Sequence, residues 1–367
     1  MVEYIKIEGF KSIKHLELEL KPINVFIGSN GAGKSNFISF FRLLHAIFNL
    51  RLQRFVIEEK ADNLLHFGRK FTEQIYGKLI FSRDNKYNNA YWFRLAQDSS
   101  GGLFIENDAS GYQIERTNDE IGYRIYANSE ESVIPRSIAT RDSYLRYYLS
   151  NIQIYHFHDT SATSLLRRGC DVRDNSVLRS DGRNLPAFLY LMKVKHPKKF
   201  MRLFKIIQSV APYIDEFILE PDSLTETEIE LRWKEKSDAE SNFSAYQFSD
   251  GTLRFIALAT VLMQPNPPEV IVIDEPELGL HPQAILKLAA LIEATSASTQ
   301  LIISTQSVNL VNCFKPDDII TVDRSIKQEQ SIFNRLSGDS LHLWLQDHTL
   351  GDLWERNVFN SAQPFSK

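Results

Sequence analysis

Residues 2–10 alternate apolar and polar side chains (Val2, Tyr4, Ile5, Ile7, Phe10), the period of a strand with one buried face. Leu16, Leu18 and Leu20 repeat it, so the two runs predict a hairpin. Residues 23–27 form a short apolar run, suited to a strand buried on both faces. Residues 35–50 carry Phe37, Ile38, Phe40, Phe41, Leu43, Leu44, Ile47 and Phe48, a helix apolar on nearly every side and therefore enclosed in a large domain. Between 55 and 150, short aromatic and β-branched pieces (75–81, 91–95, 122–126) are broken by Asn-, Gly- and Ser-rich turns, predicting antiparallel strands inserted after that helix. Residues 152–157 read as another core strand, 185–192 and 200–210 as helices. An apolar helix over 253–263 is stopped by Pro265, Pro267 and Pro268. Strand 270–273, helix 283–294, strand 301–304, helix 308–314 and strand 319–322 follow. This β-α-β-α-β rhythm predicts a parallel sheet with crossover helices.

At 367 residues the chain is long enough for one large α/β domain or two lobes. A hydrophobic content of 43% and a net charge of −4 describe an ordinary globular protein with no overall field favouring nucleic acid. Two cysteines, Cys170 and Cys313, give no disulfide framework and no metal cluster, and read as buried apolar fillers. No signal-peptide pattern and no membrane-length apolar run is visible, which predicts a cytoplasmic protein. Charge is distributed unevenly. Residues 161–205 hold eleven basic residues against three acids, and 215–240 hold ten acids against three bases. The basic stretch is a candidate DNA contact; a solvated helical face paired with the acidic segment is the alternative.

Chemistry concentrates in three segments. Gly28-Ser29-Asn30-Gly31-Ala32-Gly33-Lys34-Ser35 fits G-x-x-x-x-G-K-S between a strand and a helix, the context a phosphate-binding loop requires. Its glycines turn backbone N–H groups inward, and the helix N-terminus adds positive charge. Lys34 is placed to reach the β- and γ-phosphates and Ser35 to ligate Mg²⁺, with Asn36 next in line. Strand 270–274 ends in two acids: Asp274 would hold a magnesium-bound water, and Glu275 would polarise the attacking water. Ser249-Asp250-Gly251-Thr252 is by itself only a capped turn, but its position ahead of the Asp-Glu strand makes it a signature loop. Glu277-Leu278-Gly279-Leu280-His281-Pro282 follows the acid pair and suits a loop touching a partner beside the catalytic acid; His281, before Pro282, suits a helix cap equally well. Gln306, in a polar turn after strand 301–304, sits where a γ-phosphate sensor belongs. A Q-loop glutamine has no clear place: Gln153 lies inside a strand, leaving His158 or Asp159 at its end.

These segments, with the phrases at 155–160, 185–190, 248–257, 273–282, 304–307 and 350–355, resemble ATPases of the ABC superfamily. The likeness is greater still to the compact RecF- and SMC-like "predicted ATPase" heads of bacteria, the AAA-21 type. It spans nearly the whole chain and is weakest over 50–150. It implies an α/β P-loop NTPase of ABC-ATPase type: a mixed central sheet, an antiparallel β sub-sheet and a helical lobe. The implied division is 1–160 (N-terminal ATPase lobe), 161–248 (helical, basic lobe with an acidic connector) and 249–367 (signature helix, Walker B and the rest of the core). By the same resemblance, two heads sandwich two ATP molecules, and Ser249, Asp250 and Gly251 of one chain complete the Lys34 site of the other. ATP and Mg²⁺ are the expected ligands. The expected role is a switch in DNA maintenance or anti-phage defence acting with a separate effector such as a nuclease; the alternative is an ATP-gated assembly scaffold with little DNA binding. A transporter motor would need a membrane partner, which the RecF-like phrases disfavour. SMC-like heads usually carry histidine at the sensor turn; Gln306 can hydrogen-bond phosphate but cannot become charged.

Overall fold

The computed structural model describes residues 1–81, 87–99, 101–114, 120–222 and 225–360. The chain opens with strands β1 (Val2–Phe10), β2 (Ile13–Glu19) and β3 (Ile23–Ile27), then helix α1 (Lys34–Phe48). Short helices α2 (Leu52–Glu59) and α3 (Ala61–Leu64) precede β4 (Gln74–Phe81), β5 (Tyr87–Gln97), β6 (Leu103–Ile114) and β7 (Glu120–Ser129). Helix α4 (Thr140–Ser150) leads into β8 (Ile152–Tyr155), and a two-residue strand β9 (Cys170–Asp171) precedes helices α5 (Leu185–Lys195) and α6 (Pro197–Val210). Strands β10 (Ile214–Ile218), β11 (Glu228–Ile229), β12 (Arg232–Glu235) and β13 (Asp238–Ser244) occupy the acidic stretch. Helix α7 (Asp250–Met263), β14 (Val270–Asp274), α8 (Pro282–Thr295), β15 (Gln300–Thr305), α9 (Val308–Val311), β16 (Ile319–Ser325) and β17 (Gln330–Arg335) complete the core.

Two six-stranded sheets carry the architecture. One is antiparallel, in the order β2-β1-β4-β5-β6-β7. The other runs β17-β16-β3-β15-β14-β8, parallel except for β17. Its strands are near-continuous apolar runs because helices or the other sheet cover both faces. The period of two assigns alternate residues to opposite faces: Val25 and Ile27 of β3 join one buried cluster with α7 and α8, while Phe26 joins the other with α1. Helix α1 lies between the sheets. Phe37 stacks on Phe26 of the parallel sheet, and Phe40 meets Phe10 and Phe93 of the antiparallel one. That double contact explains why its sequence is apolar nearly all round.

The mixed sheet, the antiparallel sub-sheet and the helices of the middle segment follow the sequence reading, and several elements depart from it. The 55–150 region also contains most of helix α2 and all of α3 and α4, where strands alone are expected, and strand β6, which no apolar piece marks. The acidic 215–240 stretch is not merely a connector but holds a small sheet, β10-β12-β13. Helix α9 stops at Val311, short of residue 314. Strand β8 ends at Tyr155 and forms the outer edge of the parallel sheet. Cys170 and Cys313 are free and half-buried, not fully buried.

Candidate functional site

Register brings the chemistry to one edge. Thr305 of β15 pairs with Ile27 of β3, and Ser304 with Asp274 of β14, so three strands end side by side. The loop after Ile27 then wraps the start of α1. Gly33 has φ +123°, and a Cβ there would stand 2.2 Å from Ser331 Oγ, so a side chain is excluded on both counts. Ser331 Oγ donates to Ala32 O at 2.5 Å and accepts from Ser12 Oγ at 2.7 Å, while Asn36 Nδ2 donates to the same Ser12 oxygen at 2.7 Å. These bonds fix the loop from behind and leave Ser29, Asn30, Gly31 and Ser35 facing solvent.

Lys34 is 5% exposed, and its ammonium donates to Gly28 O at 2.6 Å and Ser29 O at 3.1 Å. Burial pushes its pKa down, opposed by the carboxylates of Glu275, Asp274 and Glu277. Asp274 accepts from Ser304 Oγ, and Glu275 accepts from the Gln306 side-chain amide. Glu275 adopts φ +44°, rare for a residue with a Cβ, and its N–H donates to Ser304 O at 3.0 Å. Such strain persists only where surrounding structure fixes it, and it commonly marks functional positions.

Ser35 and Asp274 line one cavity of about 120 Å³ with Arg42, His156 and His158. Among the described residues no group of three or more His, Cys, Asp and Glu side chains could hold an ion by itself. A hydroxyl and a carboxylate are the partial shell that Mg²⁺ completes with water and phosphate oxygens, so the donor set fits that ion. His158 thus reaches this cavity, whereas Asp159 caps its own turn through Ser161 and Gln153 donates to Ser150 O.

Three features escape the sequence reading. A second cavity of about 910 Å³ adjoins the loop, lined by Ser12, Gly31 and Asn36 together with Phe67, Phe71 and Arg324. Phe67 is 50% exposed, with the Arg324 guanidinium 5.8 Å from its ring centroid. Glu277 is buried: Oε1 accepts from Thr305 Oγ1 at 2.6 Å and Gln306 N at 3.0 Å, Oε2 has no hydrogen-bond partner, and burial pushes the carboxyl pKa up. Two buried arginines hold the 249–252 turn and its neighbours. Arg167 donates to Thr160 O, Ala245 O, Tyr246 O, Phe248 O and Asp250 Oδ1. Arg254 donates to Phe157 O, His158 O and Leu278 O, joining α7 to the end of β8 and to the loop after Glu275. No local pattern announces these arginines, because their acceptors are backbone carbonyls distant in sequence.

Lys34, Ser35, Asp274, Glu275 and Gln306 therefore meet at one edge. Residues 249–252 make other contacts. Ser249 caps α7 by accepting from Thr252 N at 3.2 Å; Asp250 pairs with Arg167 at 2.7 Å; a Cβ on Gly251 would stand 2.4 Å from Gly279 O. Ser249 and Asp250 are exposed. His281 is the N-cap of α8, its Nδ1 accepting from Gln283 N at 3.3 Å, which favours the capping alternative. In the basic stretch, Arg173, Arg179 and Arg183 pair with Asp171, Asp174 and Asp181 of the same stretch.

A comparison with curated proteins finds no match. Among solved structures, an SMC head bound to the C-winged helix domain of ScpA aligns over 93% of this chain and 99% of its own, with TM-score 0.57 and 18% identity. The SMC head domain from Thermotoga maritima aligns over 92% and 99%, with TM-score 0.50 and 14% identity. An Smc head with an extended coiled coil, bound to the C-terminal domain of ScpA derived from Pyrococcus furiosus, aligns over 94% and 98%, with TM-score 0.57 and 17% identity. At such identities the likeness is one of fold. A family profile described as "AAA domain, putative AbiEii toxin, Type IV TA system" matches residues 23–312. That match takes in β3, the Lys34 loop, the 249–252 turn, both strand-end acids and Gln306, and the chain belongs to this AAA_21 family, with the fold of an SMC-type ATPase head.

Proposed function

We propose that the protein binds and hydrolyses MgATP at the edge formed by β3, β14 and β15, and that ATP joins two copies of the chain. The carrying observation is the convergence there of Lys34, Ser35, Asp274, Glu275 and Gln306. Backbone N–H groups of residues 29–36 surround the phosphates. Lys34 exchanges two carbonyl acceptors for phosphate oxygens, a favourable trade for a buried ammonium. Ser35 and Asp274 hold Mg²⁺, which neutralises phosphate charge when bound. Glu275 orients the attacking water, and Gln306, already on that carboxylate, contacts the γ-phosphate. The nucleoside occupies the 910 Å³ cavity, its base against Phe67.

Exposed Ser249 and Asp250, with half-buried Gly251, complete the site of a second copy. The division into 1–160, 161–248 and 249–367 serves this cycle, the middle lobe presenting the signature turn through Arg167. The defence reading draws on the family's printed description, which names a putative toxin of a Type IV TA system; the DNA-maintenance reading draws on the SMC-head fold. SMC heads bound to ScpA domains support a separate effector, and equally the reading as an ATP-gated protein scaffold. No helix among the described residues is long and apolar enough to cross a membrane, in keeping with a cytoplasmic site of action.

Glu275→Gln tests the cycle. It should retain ATP and accumulate as a dimer by light scattering, where the wild type dimerises only transiently. A variant that stays monomeric at saturating MgATP overturns the dimer.

A further inference from the structure

Beside the site lies a cleft of about 720 Å³ between α1, α2, the edge strand β8 and the loop over 177–183. Its cations are all arginine: Arg42, Arg51, Arg54, Arg179 and Arg183. Arginine's planar fork matches phosphate oxygens, and it is preferred over lysine where such geometry matters. Both acids lining the cleft are already matched. Glu58 pairs with Arg54, and Glu59 with Lys11 from outside the cleft. Arg179 and Arg183 hold Asp174 and Asp181. That leaves Arg42 and Arg51, both exposed, with no carboxylate partner among the described residues. Their field reaches into the cleft: after burial, Arg51 is the next cause holding the His45 pKa down, and Arg42 the next for His156, where Asp181 and Asp274 oppose it.

The cleft also communicates with the nucleotide edge. Arg42, Ile154 and His156 line both it and the 120 Å³ cavity that holds Ser35 and Asp274. We propose that this cleft is a second phosphate-binding site, for the backbone of a nucleic-acid strand, and that its occupancy is felt at the Ser35–Asp274 cavity through Arg42. A strand fits better than a compact anion, because a cleft of about 720 Å³ is far larger than one phosphate and draws its arginines from α1, α2 and the 177–183 loop. The binding claim stands on the cleft alone, and the coupling claim rests on the ATP reading above.

The test is fluorescence anisotropy of a labelled oligothymidylate of about 12 nucleotides, within the usual span of single-strand sites. Nucleotide-free wild type should bind it with an affinity that falls as salt rises. Arg42→Gln with Arg51→Gln should raise Kd roughly tenfold and reduce the log–log salt slope by about 1.4, some 0.7 for each lost contact. Both side chains are exposed, so the double variant should melt like wild type. Arg173→Gln, whose arginine lies in the basic stretch but outside the cleft, should bind normally. Failure of wild type to bind, binding untouched by the double variant, or displacement by inorganic triphosphate at equal phosphate concentration each overturns the nucleic-acid site. Lys34→Ala separates the two readings: it should lose ATP and keep the oligonucleotide. In wild type the oligonucleotide should shift ATP affinity, and in Arg42→Gln it should not. If oligonucleotide binding depends on the arginines while ATP never binds wild type, the nucleotide reading fails and the cleft stands.

Discussion

Replacing Arg167 by alanine isolates the element that holds the 249–252 turn. The side chain is 7% exposed and serves four backbone carbonyls as well as Asp250. A hydrogen bond from a charged donor contributes about 1.5–3 kcal/mol. Removing one member of a buried ionic group costs about 3–5 kcal/mol, because the orphaned partners cannot all reach water. The carbonyls of 245–248 adjoin the exposed 249–250 turn and recover part of that hydration, so we expect a loss of about 4 kcal/mol. With a slope of about 3 kcal/mol per molar urea, the unfolding midpoint falls by roughly 1.3 M. Asp250→Ala removes only the ion pair. Its carboxylate is 65% exposed, so that change costs no more than about 1 kcal/mol. Arg167→Lys keeps the charge without the fork and should fall between them. Urea unfolding followed by tryptophan fluorescence ranks the three. Equal losses for Arg167→Ala and Asp250→Ala would refute the reasoning, since the ion pair and not the carbonyl network would then hold the turn.

Gly33→Ala forces a Cβ onto Ser331 Oγ at a φ of +123°, a strain of about 1–3 kcal/mol; calorimetry should show ATP binding weakened about tenfold, and affinity within twofold of wild type would count against the loop geometry. Phe67→Ala should weaken ATP about tenfold through lost base stacking while leaving inorganic triphosphate unchanged, and a parallel loss of both would remove the ring from the nucleoside seat. Glu277 has a carboxyl pKa raised by burial, so the folded state binds more protons than the unfolded one, and its contribution to stability is lost as pH rises through the folded value. Glu277→Gln should therefore gain on wild type in urea between mildly acidic and mildly alkaline buffer; an unchanged gap would exclude that linkage.

The Lys34 loop and the strand-end acids were legible because their chemistry is local: glycines, a lysine and a helix start lie within eight residues, and Asp274 and Glu275 close an unbroken apolar strand. Helix α4 was hidden by its own core. Its buried positions are Asp142, Leu145, Tyr148 and Leu149, and a buried carboxylate bonded to Ser110 and Tyr126 breaks the apolar face that periodicity detects. Strand β6 was missed for the same reason, since Asp108 and Ser110 are buried within it. The cavity at Phe67 depends on how the loop after α3 meets Arg324 of β16, and the Arg254 bonds on where three distant carbonyls fall; neither is written in any short window.

Strand β3 has β15 on one side and β16 on the other. Their paired residues are synthesised 301 − 23 = 278 and 319 − 25 = 294 residues after those of β3. A nascent chain therefore exposes a strand whose five residues are all buried in the fold, with the Lys34 loop attached, until β16 has left the ribosome. Pairings so remote in sequence form slowly, and unpaired strand edges invite aggregation meanwhile. Chaperone dependence and cold-temperature expression yield should accordingly be governed by the last third of the chain: truncations ending before residue 319 leave β3 half-paired and should be insoluble, however well the antiparallel sheet has already formed.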